Sequence, residues 1–162
     1  MPTTLFTRRK FGFGVASVLS ALGIGGVVAE AQVANQVQKL DYDGKPASGK
    51  QMITSLIVHK GLIYISGQGA NDAGSVQQND IETHTRKVMD NVKKLVEAGG
   101  GTMDTVLQLT VYLASLDHYE GMNKIFKTYF PHGGPARTTV AVAGVPGHSL
   151  LEINCIAAVI DK

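Results

Sequence analysis

Between Gly133 and Ile160 the chain reads "GGPARTTVAVAGVPGHSLLEINCIAAVI", 28 residues with one arginine, Arg137, and one acid, Glu152. The rest is mostly small or apolar, in two short runs around Val145-Pro146-Gly147. Short apolar runs bounded by glycine and proline predict strands buried in a sheet. The two strands, Arg137–Ala143 and Leu150–Ile160, are expected to pair as a hairpin, which would bring Glu152 near the level of Arg137. Arg137 follows a glycine-proline turn that lets backbone approach a ligand closely. Its guanidinium is always charged and offers a planar fork that matches a carboxylate. Thr139 and Ala141, next on the same side, are small and leave room beside it. A structural Arg–Glu bridge and a ligand-binding pair both fit this pattern.

The remaining segments supply a sheet for those strands. A first short strand is expected at Gln38–Tyr42. "MITSLIVHKGLIYISGQ" gives two more, Met52–His59 and Leu62–Ser66, and so short a joint as Lys60-Gly61 demands an antiparallel hairpin. Ile81, Val88, Met89, Val92, Leu95 and Val96 make one helical stripe over residues 80–98. Asn79 with Glu82 is a capping-box pattern, and Gly99-Gly100-Gly101 stops the helix. That glycine run follows a helix rather than opening one, so it is no phosphate loop. Val106–Ala114 alternates, with Leu107, Leu109, Val111 and Leu113 on one side. A second helix begins at Asp117 and buries Tyr119, Met122, Phe126, Tyr129 and Phe130. Three strands, helix, strand, helix, two strands predict an α+β fold, a mixed sheet with two helices on one face.

Length fits one domain. Its N-terminus reads as an address: Arg8-Arg9, an uncharged run from Phe11 to Ala29, then Ala29-Glu30-Ala31, in the order of a twin-arginine-type export signal. Residues 1–31 are therefore expected to be removed and 32–162 to work in the periplasm or outside the cell, with membrane contact only through the signal. The whole chain carries +2, but residues 32–162 hold twelve basic and twelve acidic residues. A neutral domain lacks the footprint of a nucleic-acid binder. Cys155 is the only cysteine, excluding an intrachain disulfide, and its apolar neighbours suggest a packed, inert thiol. The five histidines are scattered without ligand spacing, so no metal site is expected. Ser66 lacks the Gly-x-Ser-x-Gly frame of a nucleophile elbow.

"LIYISGQ", "VMDNVKKLVEAGG", "VYLASLDHYEGMNKIFKTYF", "GPARTTVAVAGVP" and "LEINCIAAV", in unbroken order from Met52 to Val159, resemble the RidA family of reactive-intermediate imine deaminases. The resemblance implies a chorismate-mutase-like α+β fold and a homotrimer with ligand clefts between subunits. It implies hydrolysis of small enamine or imine carboxylates to keto acids and ammonia, without a cofactor. A non-catalytic module binding small carboxylates in the same cleft is the alternative. Carried over by residue, Arg137 takes the place of the carboxylate-gripping arginine, and Glu152 that of the acid that positions water or relays protons. Ser66 and Gly67 match the strand end lining the cleft, and Asn123 the helix asparagine near it. Two positions depart from the pattern: Ala47 stands where the family has a cleft tyrosine, and Thr139 where a cysteine is common. A ribonuclease activity is also attached to the family's names; the neutral balance of residues 32–162 and the export signal argue against it.

Overall fold

The computed structural model describes residues 36–70 and 80–160, which belong to one compact unit. The expected signal at 1–31 and the capping residue Asn79 lie outside the described residues. Strands β1 (Gln38–Leu40), β2 (Leu56–His59) and β3 (Leu62–Gly69) come first, then helix α1 (Ile81–Ala98) and strand β4 (Val106–Leu113). Helix α2 (Tyr119–Phe126) and strands β5 (Ala136–Ala141) and β6 (Leu151–Ala158) follow. This is the expected order. The β2–β3 joint is the expected tight turn: Lys60 and Gly61 have φ of 50° and 73°, the hand that suits twisted strands.

Helix α1 starts one residue later than the capping-box pattern requires. Asp80 is the cap, its carboxylate accepting the Thr83 amide hydrogen at 2.9 Å. That bond holds the Asp80 carboxyl below the usual carboxylate range. Glu82 does not close a box, because it is paired with Lys124 of α2 at 2.7 Å. Val88, Met89, Val92, Leu95 and Val96 of the expected stripe are buried, Ile81 at the helix start is half-buried, and His84 and Thr85 are buried with them.

The six strands lie in the order β1-β2-β3-β6-β4-β5. All neighbours are antiparallel except β4 and β5, which run parallel. The expected β5–β6 hairpin does not form. Helix α2 carries the chain from β4 back to a parallel neighbour, as a crossover must, and leaves β5 at the sheet's edge. Strand β6 instead enters between β3 and β4. Its Leu151, Ile153, Cys155 and Ala157 are at most 3% exposed, which suits a central strand, whereas β5 is half-exposed along its length.

Alternation decides which face each residue meets. Ile63, Ile65, Leu109, Val111, Leu113 and Ile153 pack against α1 and α2 in one core. A bulge between Val106 and Gln108 shifts the phase of β4. Val106 is therefore buried, and Leu107, expected inside, is 50% exposed. On α2, Met122, Ile125 and Phe126 are buried, but Tyr119, expected inside, is 36% exposed. Tyr64 and Val140, on the face away from the helices, are 39% and 40% exposed.

Candidate functional site

Strand register settles the opening pair. Arg137 lies opposite Leu109, and Leu109 opposite Cys155, a row on the helix-covered face. Glu152 lies opposite Tyr112, and Tyr112 opposite Val140, a row on the open face. Leu109 and Tyr112 are three apart in an unbroken register, so they point to opposite sides. Arg137 and Glu152 therefore sit on opposite faces of one sheet and do not form a bridge within the chain. The expected closeness rested on the hairpin, and fails with it.

The Arg137 side chain rests against helix α2. Its guanidinium lies 4.7 Å from the Phe126 ring centre and 5.8 Å from that of Tyr119. Nη2 donates to the Tyr119 hydroxyl at 3.4 Å, and Nη1 approaches Met122 Sδ at 4.0 Å. Aromatic faces attract the charge weakly, at about 0.5–1 kcal/mol when exposed, and orient its plane. Among the described residues no acid pairs with it. Tyr119, half-exposed at the surface, forms one side of this platform. Asn123, one turn beyond Tyr119, is half-buried on the same side of α2. Thr139, on the same face of β5 as Arg137, has a buried Oγ1 with no hydrogen-bond partner.

The Glu152 side chain crosses the open face to lie over Gly67, where a Cβ would overlap its carboxylate. Gly67 is thus fixed by the room Glu152 needs. Ser66 and Gly67 occupy an irregularity in the β3–β6 register. The Ser66 hydroxyl donates to Ser55 O at 3.2 Å. Gln68 is buried beside it, and its amide donates to Ser66 O, Ser66 Oγ and Gly67 O at 3.0–3.1 Å. The Tyr42 hydroxyl donates to Gln68 Oε1, and burial raises the Tyr42 phenol above its ordinary value. Neither Tyr42 nor Gln68 stands out in the sequence, because their partnership joins residues 26 positions apart.

A cavity of about 270 Å³ opens beside Glu152, walled by Gly67, Tyr112, Val145, Pro146 and Asn154 among others. Asn154 contributes to the wall, but its Oδ1 is sealed in the protein without a described hydrogen-bond partner, and the Glu152 carboxylate makes no ion pair with a described residue. Sequence reading missed Asn154, although its place two residues after Glu152 puts it on the same face. Ala47 is not part of this wall. It borders a second cavity, of about 340 Å³, with Tyr42, Gln51 and Thr54. Burial pushes the Cys155 thiol up to about 12, as suits a packed side chain. Among the described residues no group of three or more His, Cys, Asp or Glu is placed to hold a metal.

The sequence profile described as Endoribonuclease L-PSP matches residues 47–159. The chain belongs to this family. A RutC family protein of Pyrococcus horikoshii is 36% identical over 98 residues, 59% of this chain and 78% of that protein. Reactive Intermediate Deaminase A, chloroplastic, of Arabidopsis thaliana is 33% identical over 98 residues, 59% of this chain and 52% of that one. A crystal structure of a Rid-family protein of unknown function from Yersinia pestis superposes with a TM-score of 0.65 at 31% identity, covering 76% of this chain and all of that one. The fold is thus the family's chorismate-mutase-like α+β fold.

The compartment expected from the N-terminus is corrected by the same comparisons. Relatives named with a compartment are mitochondrial, in Schizosaccharomyces pombe, and chloroplastic, in Arabidopsis. Nothing supports a signal peptide, twin-arginine export or a periplasmic or secreted protein. A basic pair ahead of a glycine-rich apolar run is a short compositional pattern, and such addresses are read by receptors rather than set by a fold. Among the described residues no helix is long and apolar enough to cross a membrane.

Proposed function

We propose that the protein hydrolyses small imine or enamine carboxylates to keto acids and ammonia, as a homotrimer with its sites between copies. Family membership and the name of the plant relative support a RidA-type role, and binding small molecules as oligomers is the general pattern of this family. One observation carries the reading. Arg137 and Glu152 each lack a described counter-ion and lie on opposite faces of one sheet. Two charges so placed meet one ligand only when different copies supply them. The outer edge of β5, which pairs with no described strand, and the exposed apolar residues Tyr64 and Val140 give a second copy a surface to cover.

In this mechanism Arg137 grips the carboxylate through its fork, with Thr139 and Asn123 beside it and the backbone at Ser66–Gly67 orienting the substrate. Water placed by Glu152 attacks the imine carbon. The new C–O bond forms as the C=N electrons take a proton onto nitrogen, then the C–N bond breaks and ammonia leaves a carbonyl. Imine and water give keto acid and ammonia, so no redox partner is required. Positioning and electrostatics supply the acceleration. RNA cleavage fits less well, because among the described residues the only charged side chain lining the Glu152 cavity is negative.

A carboxylate-binding module without turnover is the second reading, favoured by Ala47, which offers no phenol. Imino acids generated in place by an amino-acid oxidase, with keto acid and ammonia followed, separate the two. Arg137→Ala should weaken carboxylate binding by roughly 2–4 kcal/mol, the scale of a charge-assisted fork, and Arg137→Lys should restore only part of it. Glu152→Gln should lower turnover more than binding. Unchanged affinity in a folded Arg137→Ala variant rules out the ligand role. Light scattering that shows a stable monomer rules out the shared site.

A further inference from the structure

We infer that Tyr42 is a positioning residue for the candidate site: through the Gln68 amide it fixes the Ser66–Gly67 backbone against which the Glu152 carboxylate lies. Strand β3 carries one residue too many at this point. Ile65 pairs with Cys155 and Gln68 with Ile153, so Ser66 and Gly67 together face the single residue Asn154 of β6. Such a bulge disrupts the ladder, and backbone groups that lose ladder partners need others. The Gln68 side chain supplies donors: Nε2 bonds Ser66 O at 3.0 Å, and Gly67 O and Ser66 Oγ at 3.1 Å.

Gln68 does this from the sealed side of the sheet. Its strand partner Ile153 belongs to the core, and Gln68 itself is 3% exposed. An amide in such a place is costly unless both of its ends are bonded. The nitrogen end holds the bulge, and the oxygen end accepts from the Tyr42 hydroxyl. Because Nε2 only donates and Oε1 only accepts, a phenol donating to Oε1 holds the amide the way round that aims Nε2 at the bulge. Partial burial raises the Tyr42 phenol above its ordinary value, so it stays protonated and keeps donating. On the other face, a Cβ at Gly67 would overlap the Glu152 carboxylate. Tyr42, Gln68, Gly67 and Glu152 thus form one line of contact through the sheet. Tyr42 enters that line from outside the family's shared region, since it precedes the matched residues 47–159. Its turn is tied to α1, where Lys94 pairs with Asp43 at 2.9 Å and lies 5.9 Å from the Tyr42 ring centre. The inference rests on the deaminase reading for the reaction served, and on the hydrogen bonds alone for the geometry.

The test uses Tyr42→Phe in the full-length protein, which removes the hydroxyl and keeps the ring. With imino acids generated in place by an amino-acid oxidase, kcat should fall about tenfold while KM stays within about twofold, since Arg137 still grips the carboxylate. The Gly67 backbone amide resonance of the same variant should move from its wild-type position. In a Gln68→Met background the Tyr42→Phe change should cost less than about twofold in kcat, because the connection is already cut. A hydroxyl that only stabilises the fold would lower the melting temperature and leave kcat and the Gly67 resonance alone, and that result overturns the proposal. A shifted Gly67 with unchanged kcat overturns it as well, as do equal costs of Tyr42→Phe in the two backgrounds. If Gln68→Met fails to fold, kcat and the Gly67 resonance of Tyr42→Phe decide together. A wild type without turnover sinks the deaminase reading; the Gly67 resonance then decides the positioning role, shifted in its favour and unmoved against it.

Discussion

Successive residues of β6 belong to different worlds. Leu151, Ile153, Cys155 and Ala157 face the helices and are sealed, while Glu152, Asn154 and Ile156 on the other face stay half-exposed. The sealed face is nearly all hydrocarbon and is finished within one chain. The open face carries a carboxylate without a described counter-ion, a buried amide oxygen without a partner and exposed apolar side chains. A strand one residue out of phase would exchange the two sets entirely. The difference teaches that along this central strand one face serves stability and the other is left for something outside the chain, whereas at the edge strand β5 even the helix-covered side presents Arg137 without a described counter-ion.

The sharpest way to break the comparison is to cut matching side chains from the two faces. Ile153→Ala should cost about 2–5 kcal/mol in urea unfolding, since it leaves a cavity in a sealed core. Ile156→Ala should cost clearly less per chain and act instead on the oligomer. Equal losses would mean that the open face stabilises the monomer as much as the sealed one does.

Gly67→Ala probes the open face alone. The added methyl meets the end of a flexible carboxylate, so Glu152 should move while the fold survives. Turnover of imino acids should fall about tenfold, near 1.4 kcal/mol in activation free energy, with little change in melting temperature. Unfolding of this variant would show that the Glu152 position is part of the fold rather than of the site.

Thr139→Val tests the helix side at its edge. Removing a buried, unpartnered hydroxyl while keeping the side chain's shape should stabilise the free protein by about 1 kcal/mol. It should weaken carboxylate binding if that hydroxyl meets the ligand beside Arg137. Measuring melting temperature and ligand affinity together separates the two effects.

The smallest effect belongs to acid. Asp80 is held below its ordinary pKa by the Thr83 amide, so its contribution is present above the unfolded value and lost as pH falls through the folded one. Asp80→Asn keeps the cap without the charge and should flatten that limb of the stability profile. An unchanged acid limb would assign it to other carboxylates.

Much of this fold was legible because local rules govern it. Lys60-Gly61 between two β-branched runs can hardly be other than a tight hairpin, and the stripe from Val88 to Val96 has one amphipathic solution. Leu107 escaped because a bulge is a property of a pair of strands, not of one. The cap at Asp80 escaped because Glu82 had a better partner on α2. Arg137 and Glu152 stood out as rare charges in apolar strands. Asn154 did not, since an asparagine in a strand gains meaning only when nothing is found to pair with it.

The sequence by itself determined the elements, their order and the identity of the two charges, because helix and strand periods and turn chemistry act over a few residues. Only the tertiary structure decided that β6 enters between β3 and β4, that Arg137 and Glu152 point to opposite faces, and that Gly67 is small for the sake of a carboxylate 85 residues away. Those facts depend on which strands become neighbours. That choice is made by the whole core at once: the strand with the most apolar buried face takes the centre, and every row of side chains follows from the register it adopts.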